Sequence, residues 1–242
     1  MGMRLLGPVY LVGGQDYQST HLDWEANDCN TYLVDTGDGL VLVDCGCGES
    51  LETILANIED MDMEVGELSH VLLTHAHLPH AGGAGALAKM GVEVCCTPSA
   101  AEAVQQGDWR TADYHYGKTF PPCAEVTAVT GGETIEEGRF TFSVVELPGH
   151  SPGSAGFQMH AAGHDMLFCG DVVRSPALRS YRDRPGYDAA LYVESLRKLL
   201  ECPPEVLYPG HGPFCLSQGK VWVQKELRKL LNGGGTSVPP GC

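Results

Sequence analysis

The sequence contains no apolar run near the ~20 residues that a membrane-spanning helix requires. Basic residues are scarce: 15 Lys and Arg stand against 31 Asp and Glu, for a formal net charge of −16. So acidic a chain repels phosphate backbones at long range, which argues against nucleic acid as a partner. No Lys/Arg-rich segment offsets that average. Paired C-x-x-C motifs are missing although the chain has 10 cysteines, so no structural zinc site of that type is indicated. Several cysteines lie in apolar strand-like runs, where a thiol behaves as a small hydrophobe; reduced thiols are the expected state. The stretch MGMRLLGPVYLVGGQ is too short and too broken by Gly and Pro to read as a signal peptide. Gly2 lacks the downstream hydroxyl residue of a myristoylation site. These absences lead to the expectation of a soluble, cytoplasmic protein with a small-molecule substrate and no membrane partner. A homo-oligomer is compatible with the sequence.

What is present is a patterned globular chain. Hydrophobic residues make up 43% of 242 residues, enough for a substantial core. NTYLVDTGDGLVLVDCG, from Asn30, reads as two strands joined by a Gly-Asp-Gly turn. ESLETILANIED, from Glu49, spaces Leu51, Ile54, Leu55 and Ile58 as one face of a helix. HVLLT is a short buried strand, HAGGAGALAKMG a small-residue helix, and VEVCCTP another strand. SAAEAVQQG then opens a helix with Ser99 as the expected N-cap. The second half repeats the theme with hairpins, amphipathic helices from Tyr187 to Glu201 and from Ser217 to Leu231, and the strand of PEVLYPGHG. The pattern predicts two sheets packed face to face with helices outside. No linker divides the halves, so residues 1–231 are read as one domain, with a disordered tail at 232–242.

Four places share one syntax, in which a polar residue follows an apolar run. In LSHVLLTHAHLPH, a strand delivers His75, His77 follows two residues on, and His80 falls where a helix begins. VVELPGHSPGS ends at His150, MLFCGDVV at Asp171 and VLYPGHGP at His211. Neutral imidazole is a common ligand for zinc and iron. Any one of these histidines could be a solvated or turn residue. Four such strand ends together predict one convergent metal site.

The series THAHLPH, GHSPGS, GD and GHG, preceded by VLVDCG, resembles the ligand motifs of the metallo-β-lactamase superfamily, from about Asn30 to His211. The resemblance implies an α+β fold, a four-layer αβ/βα sandwich with metals in a cleft at one edge of the sheets. It implies His75, His77 and His150 as ligands of a first ion, Asp171 as a bridging carboxylate, and His80 and His211 as ligands of a second. Asp44 is then a residue behind the ligands that orients the histidine loop, with a plain turn-forming Asp as the alternative.

One position departs from the pattern. The family motif is H-x-H-x-D-H, and Pro79 stands where its aspartate belongs. The second site therefore loses a carboxylate, which predicts one ion or an unequal pair. Two divalent ions, if bound, would leave the cluster more positive than usual and favour an anionic substrate.

The expected reaction is hydrolysis of a small ester-like substrate (a thioester, lactone, phosphate or sulfate ester) by hydroxide generated at the ion, without an assigned protein base. Zinc is the expected cofactor, one or two ions, with iron or manganese as alternatives. The competing functions are a mononuclear iron oxidoreductase acting on a sulfur compound and a non-catalytic ligand-binding member. Trp109, Tyr114, His115 and Tyr116, with Trp24 and His21 farther upstream, form a possible substrate lid or a packed aromatic patch. Cys45 and Cys47, just past Asp44, are read as buried structural thiols, with ligation or redox partnership as the alternative.

Overall fold

The computed structural model describes residues 2–14, 28–174 and 186–232. Trp24, His21 and all of the expected tail except Asn232 lie outside the described residues. The first sheet is built from seven strands in chain order: β1 (Met3–Arg4), β2 (Val9–Gly13), β3 (Thr31–Asp35), β4 (Leu40–Val43), β5 (Leu68–Leu72), β6 (Glu93–Cys96) and β7 (Thr127–Ala128). It is antiparallel from β1 to β4 and parallel from β4 to β7. The second sheet holds β8 (Thr134–Glu137), β9 (Phe140–Glu146), β10 (Ala155–Ala161), β11 (His164–Gly170) and β12 (Val206–Pro209), in spatial order β12-β11-β10-β9-β8. Only its β11–β12 pair is parallel.

Burial along the strands explains their chemistry. β4, LVLV, is buried at every residue, as expected of a strand covered on both faces. Val41 and Val43 face a core between the sheets, with Tyr32, Phe142, Phe157, Phe168 and Tyr208. Leu40 and Leu42 face the opposite way, toward an outer core shared with helix α1 (Leu51–Glu59). A third core packs the second sheet against α5 (Ala189–Glu201) and α6 (Gly219–Leu231). Three cores between four layers make the αβ/βα sandwich.

The helices follow their sequence signals, with two differences. α4 (Pro98–Gln106) begins one residue before Ser99, and Thr97 is the capping position. Pro98 sets the boundary, because proline is favoured in the first turn and holds its predecessor extended. The helix expected after the histidines is two short pieces, α2 (Leu78–Ala81) and α3 (Ala84–Lys89). They part at Gly82 and Gly83, where a Cβ would strike the backbone of Cys47 and of Cys45 respectively. That close approach seats the histidine loop against the end of β4.

Candidate metal centre

All residues of the centre but His80 follow the C-terminal end of a strand. Asp44 follows β4, His75 and His77 follow β5, His150 follows β9, Asp171 follows β11 and His211 follows β12; His80 lies in α2. The hydrogen-bond ladders hold the strands, and the side chains just past their ends converge where both sheets stop.

Asp44 organises the first loop. Its backbone is left-handed at φ 60°. Its carboxylate accepts hydrogen bonds from the Thr74 backbone N–H at 2.8 Å and the Thr74 hydroxyl at 2.9 Å. It also accepts from His80 Nδ1 at 2.7 Å. These contacts match a loop-orienting role better than that of an isolated turn residue. They also settle a tautomer. Thr74 gives its only hydroxyl proton to Asp44, so His75 Nδ1, 3.1 Å from that oxygen, must be the donor between them. His75 Nε2 then carries the lone pair, and it lies 3.0 Å from His77 Nδ1.

His150 Nε2 lies 3.2 Å from the same His77 nitrogen. Three imidazole nitrogens thus face a common point, and the three residues form one of the groups able to grip a metal. Ligands about 2.0–2.1 Å from a tetrahedral ion lie about 3.3 Å from one another, close to this spacing. Burial pulls the His150 pKa down to about 3 and holds that of His75 well below its ordinary value. Both rings are therefore neutral, the form that ligates.

The other half of the centre is charged. Asp171, 4% exposed, accepts from His211 Nδ1 at 2.7 Å through Oδ1. The same oxygen is 3.6 Å from His80 Nε2, a buried nitrogen without a hydrogen bond. Oδ2 of Asp171 is 3.5 Å from His150 Nε2 and pairs with the Arg174 guanidinium. Burial alone would raise the Asp171 pKa; Arg174, His211 and His80 outweigh it and hold it well below the carboxylate range. Burial would likewise depress His80, but Asp44 and Asp171 prevail and raise it. Burial lowers His211. The donor set therefore fits a cation: neutral imidazoles on one side, an ionised carboxylate reaching both groups, and an unmatched ring nitrogen at His80.

Comparison with known proteins gives the arrangement a context. The sequence profile of the metallo-β-lactamase superfamily matches residues 24–211. The chain belongs to that superfamily. "Thioesterase pkgB" of Emericella nidulans is 30% identical over 256 residues, covering 97% of this chain and 63% of the relative. "Hydroxyacylglutathione hydrolase GloC" of Haemophilus influenzae is 29% identical, covering 89% of this chain and 93% of the relative. The chain thus spans about three fifths of the first curated relatives. Among solved structures, the subclass B3 metallo-β-lactamase BJP-1 of Bradyrhizobium japonicum superposes with a TM-score of 0.76. It is 22% identical, with 96% of this chain and 92% of that chain covered, a likeness of fold.

The six positions expected from the superfamily motifs, His75, His77, His80, His150, Asp171 and His211, come together, with Asp44 behind them. The possible lid is not part of that cluster. Trp109 and Tyr114 are exposed, and Tyr116 packs against the outer core beside α1. The end of their segment, at Lys118, Thr119, Pro121 and Pro122, lines a cavity with Cys47, Leu78 and Gly82. Cys45 donates through Sγ to the His80 carbonyl, 3.2 Å away, and burial drives its thiol pKa well up. Cys47 is buried with a raised pKa as well, so both fit the structural reading. No described helix is long and apolar enough to cross a membrane.

Sequence reasoning missed five participants. Arg174 has no motif signal beyond lying three residues after Asp171. Cys29 falls within ligand distance of Asp44 and His80, with its thiol pKa driven well up by burial. Asn30 Nδ2 donates to the carbonyls of Pro209 and Gly212 at 3.0 and 2.8 Å, and Tyr32 Oη donates to Pro209 at 2.8 Å. These bonds fasten the His211 loop to the first sheet. Tyr192 Oη, from α5, donates to the Asp171 and Val172 carbonyls at 3.1 and 2.7 Å.

Proposed function

We infer that the chain is a metal-dependent hydrolase acting on a small acyl ester, with thioesters as the first class to test. The convergence of three ring nitrogens at 3.0–3.2 Å, beside an ionised buried carboxylate, carries this reading. Relatives named as a thioesterase and a hydroxyacylglutathione hydrolase support the acyl class.

His75, His77 and His150 would hold the ion, with Asp171 beside them. A bound divalent ion supplies Lewis acidity and activates water near neutral pH. Zinc suits the nitrogen and oxygen donors, and iron or manganese could also be held by them. The chain's own groups do the rest. Asp44 and Thr74 fix the His75 tautomer so that its lone pair faces the site. His80, between two carboxylates, keeps a proton more firmly than a free imidazole.

The test is elemental analysis of protein purified without added metal, followed by assays on acyl-thioester, lactone, phosphate-ester and sulfate-ester panels. At least one ion per chain, with chelator-sensitive thioester hydrolysis, is the expected result. A folded protein that holds no ion when zinc, iron or manganese is supplied would overturn the reading. Oxygen consumption with a sulfur compound and no hydrolysis would replace it with the iron oxidoreductase.

A further inference from the structure

We propose that Arg174 is a built-in cation at the second metal position, so that the chain holds a single ion at His75, His77 and His150. This rests on the metal-dependent reading above and specifies its stoichiometry.

The argument begins with where the guanidinium lies. Arg174 follows Asp171 by three residues, on the turn leaving β11, and is 5% exposed. Its Nη2 pairs with Asp171 Oδ2 and lies 3.3 Å from His211 Nδ1. Asp171 and His211 are two of the groups that the superfamily motif assigns to a second ion. A positive charge is therefore already seated between them. It is permanent, because a guanidinium does not lose its proton in proteins.

Pro79 makes the same change from the opposite side. The motif aspartate would add a carboxylate to this half of the centre; Pro79, buried in α2, adds none. Relative to a half-site with the carboxylate and without the guanidinium, these two residues shift the local charge by two positive units. That equals the charge of the divalent ion they displace. Either change alone would leave the pocket mismatched; together they balance.

The remaining groups agree. His80 commits Nδ1 to Asp44, leaving one nitrogen for the pocket. Asp171 Oδ2 is engaged by Arg174 and Oδ1 by His211. A second ion would have to displace the guanidinium from Asp171 and then bear its repulsion at close range in a buried setting. At the His75, His77 and His150 triad the guanidinium is met through Asp171, whose Oδ2 lies 3.5 Å from His150 Nε2, so the three ring nitrogens stay available.

Metal counting tests this directly. Metal-free protein is titrated with cobalt(II) and with zinc, and bound ions per chain are read by native mass spectrometry and elemental analysis. The natural sequence should saturate at one ion. Pro79→Asp alone should also stop at one, because the guanidinium still holds the pocket. Pro79→Asp combined with Arg174→Met, which keeps an unbranched stem and removes the guanidinium with its charge, should take up two. Two ions on the natural sequence, or on Pro79→Asp alone, would overturn the proposal while leaving the metal-dependent reading intact. A combined variant that folds and still stops at one would also overturn it. No ion on the natural sequence would defeat the underlying reading instead. The counts on the natural sequence and on Pro79→Asp can each overturn the proposal even if the combined variant does not fold.

Discussion

The two halves of the centre are built on opposite principles. His75 and His150 are neutral rings that burial keeps unprotonated, and their nitrogens crowd one point with that of His77. Asp171, Arg174, His211 and His80 form a charged network in which each polar group already has an opposite number within 3.6 Å. The first half brings ring nitrogens to one point, whereas the charges of the second are largely matched within the chain. A buried donor cluster signals a cation most strongly where its nitrogens converge and no positive group of the chain is already seated among them.

Several changes would break or sharpen that contrast. The largest effect should come from the neutral half. His77→Ala removes the nitrogen that both His75 and His150 face, and should abolish metal retention and lower kcat/KM by about three orders of magnitude. Elemental analysis and thioester kinetics would check it. Asp44→Asn should follow, since the carboxylate orients Thr74 and His80 without entering the cluster. A loss of about 10–100-fold in metal affinity is expected, measured by competition with a chelator.

Gly210→Ala tests how tightly the charged half is packed. A Cβ there would collide with His80 Cε1 and lie 3.1 Å from Asp171 Oδ1. A loss of about 1–3 kcal/mol is expected in urea unfolding, accompanied by a change at His80 rather than at His75.

Acid should separate the halves more gently. His75, His150 and His211 have folded pKa values lowered by burial, so the unfolded chain takes up their protons first as pH falls below about 6.5. Their contribution to stability is therefore full above that pH and declines toward about 3, the folded value of His150. His80 has a raised pKa and opposes them, its contribution being present in acid and lost as pH rises. With three groups against one, metal-free protein should unfold at lower urea near pH 5 than near pH 7.5. His150 alone accounts for about 2 kcal/mol of that difference.

The smallest effect is expected far from both halves. Trp109→Ala, at a side chain 58% exposed, should change stability by less than about 0.5 kcal/mol. A several-fold rise in KM with kcat unchanged would support the lid reading for its segment.

How much of this was legible follows from how local each signal is. The strands announced themselves through short runs of Val and Leu, and the ligands through their place just after those runs. Histidines are uncommon enough that four strand ends in one syntax identified the cluster. The second half of the centre was less readable. Arg174 in GDVVRS looks like any solvated arginine after a strand, and only the turn at Asp171 folds it back onto the carboxylate. The Asn30 and Tyr32 bonds to the His211 loop join residues 177 to 182 positions apart, which no local pattern encodes. The start of α4 at Pro98 was readable, but Ser99 drew attention from the stronger mark left by the proline.

Those long-range bonds have a consequence for the centre. Asn30 and Tyr32 clasp the rim of one sheet to the rim of the other at the loop that presents His211. Prising the layers apart would strip the Pro209 and Gly212 carbonyls of their donors and take that imidazole with them. Loosening either clasp should therefore disturb the His211 side of the centre before it reaches the three rings on the other side.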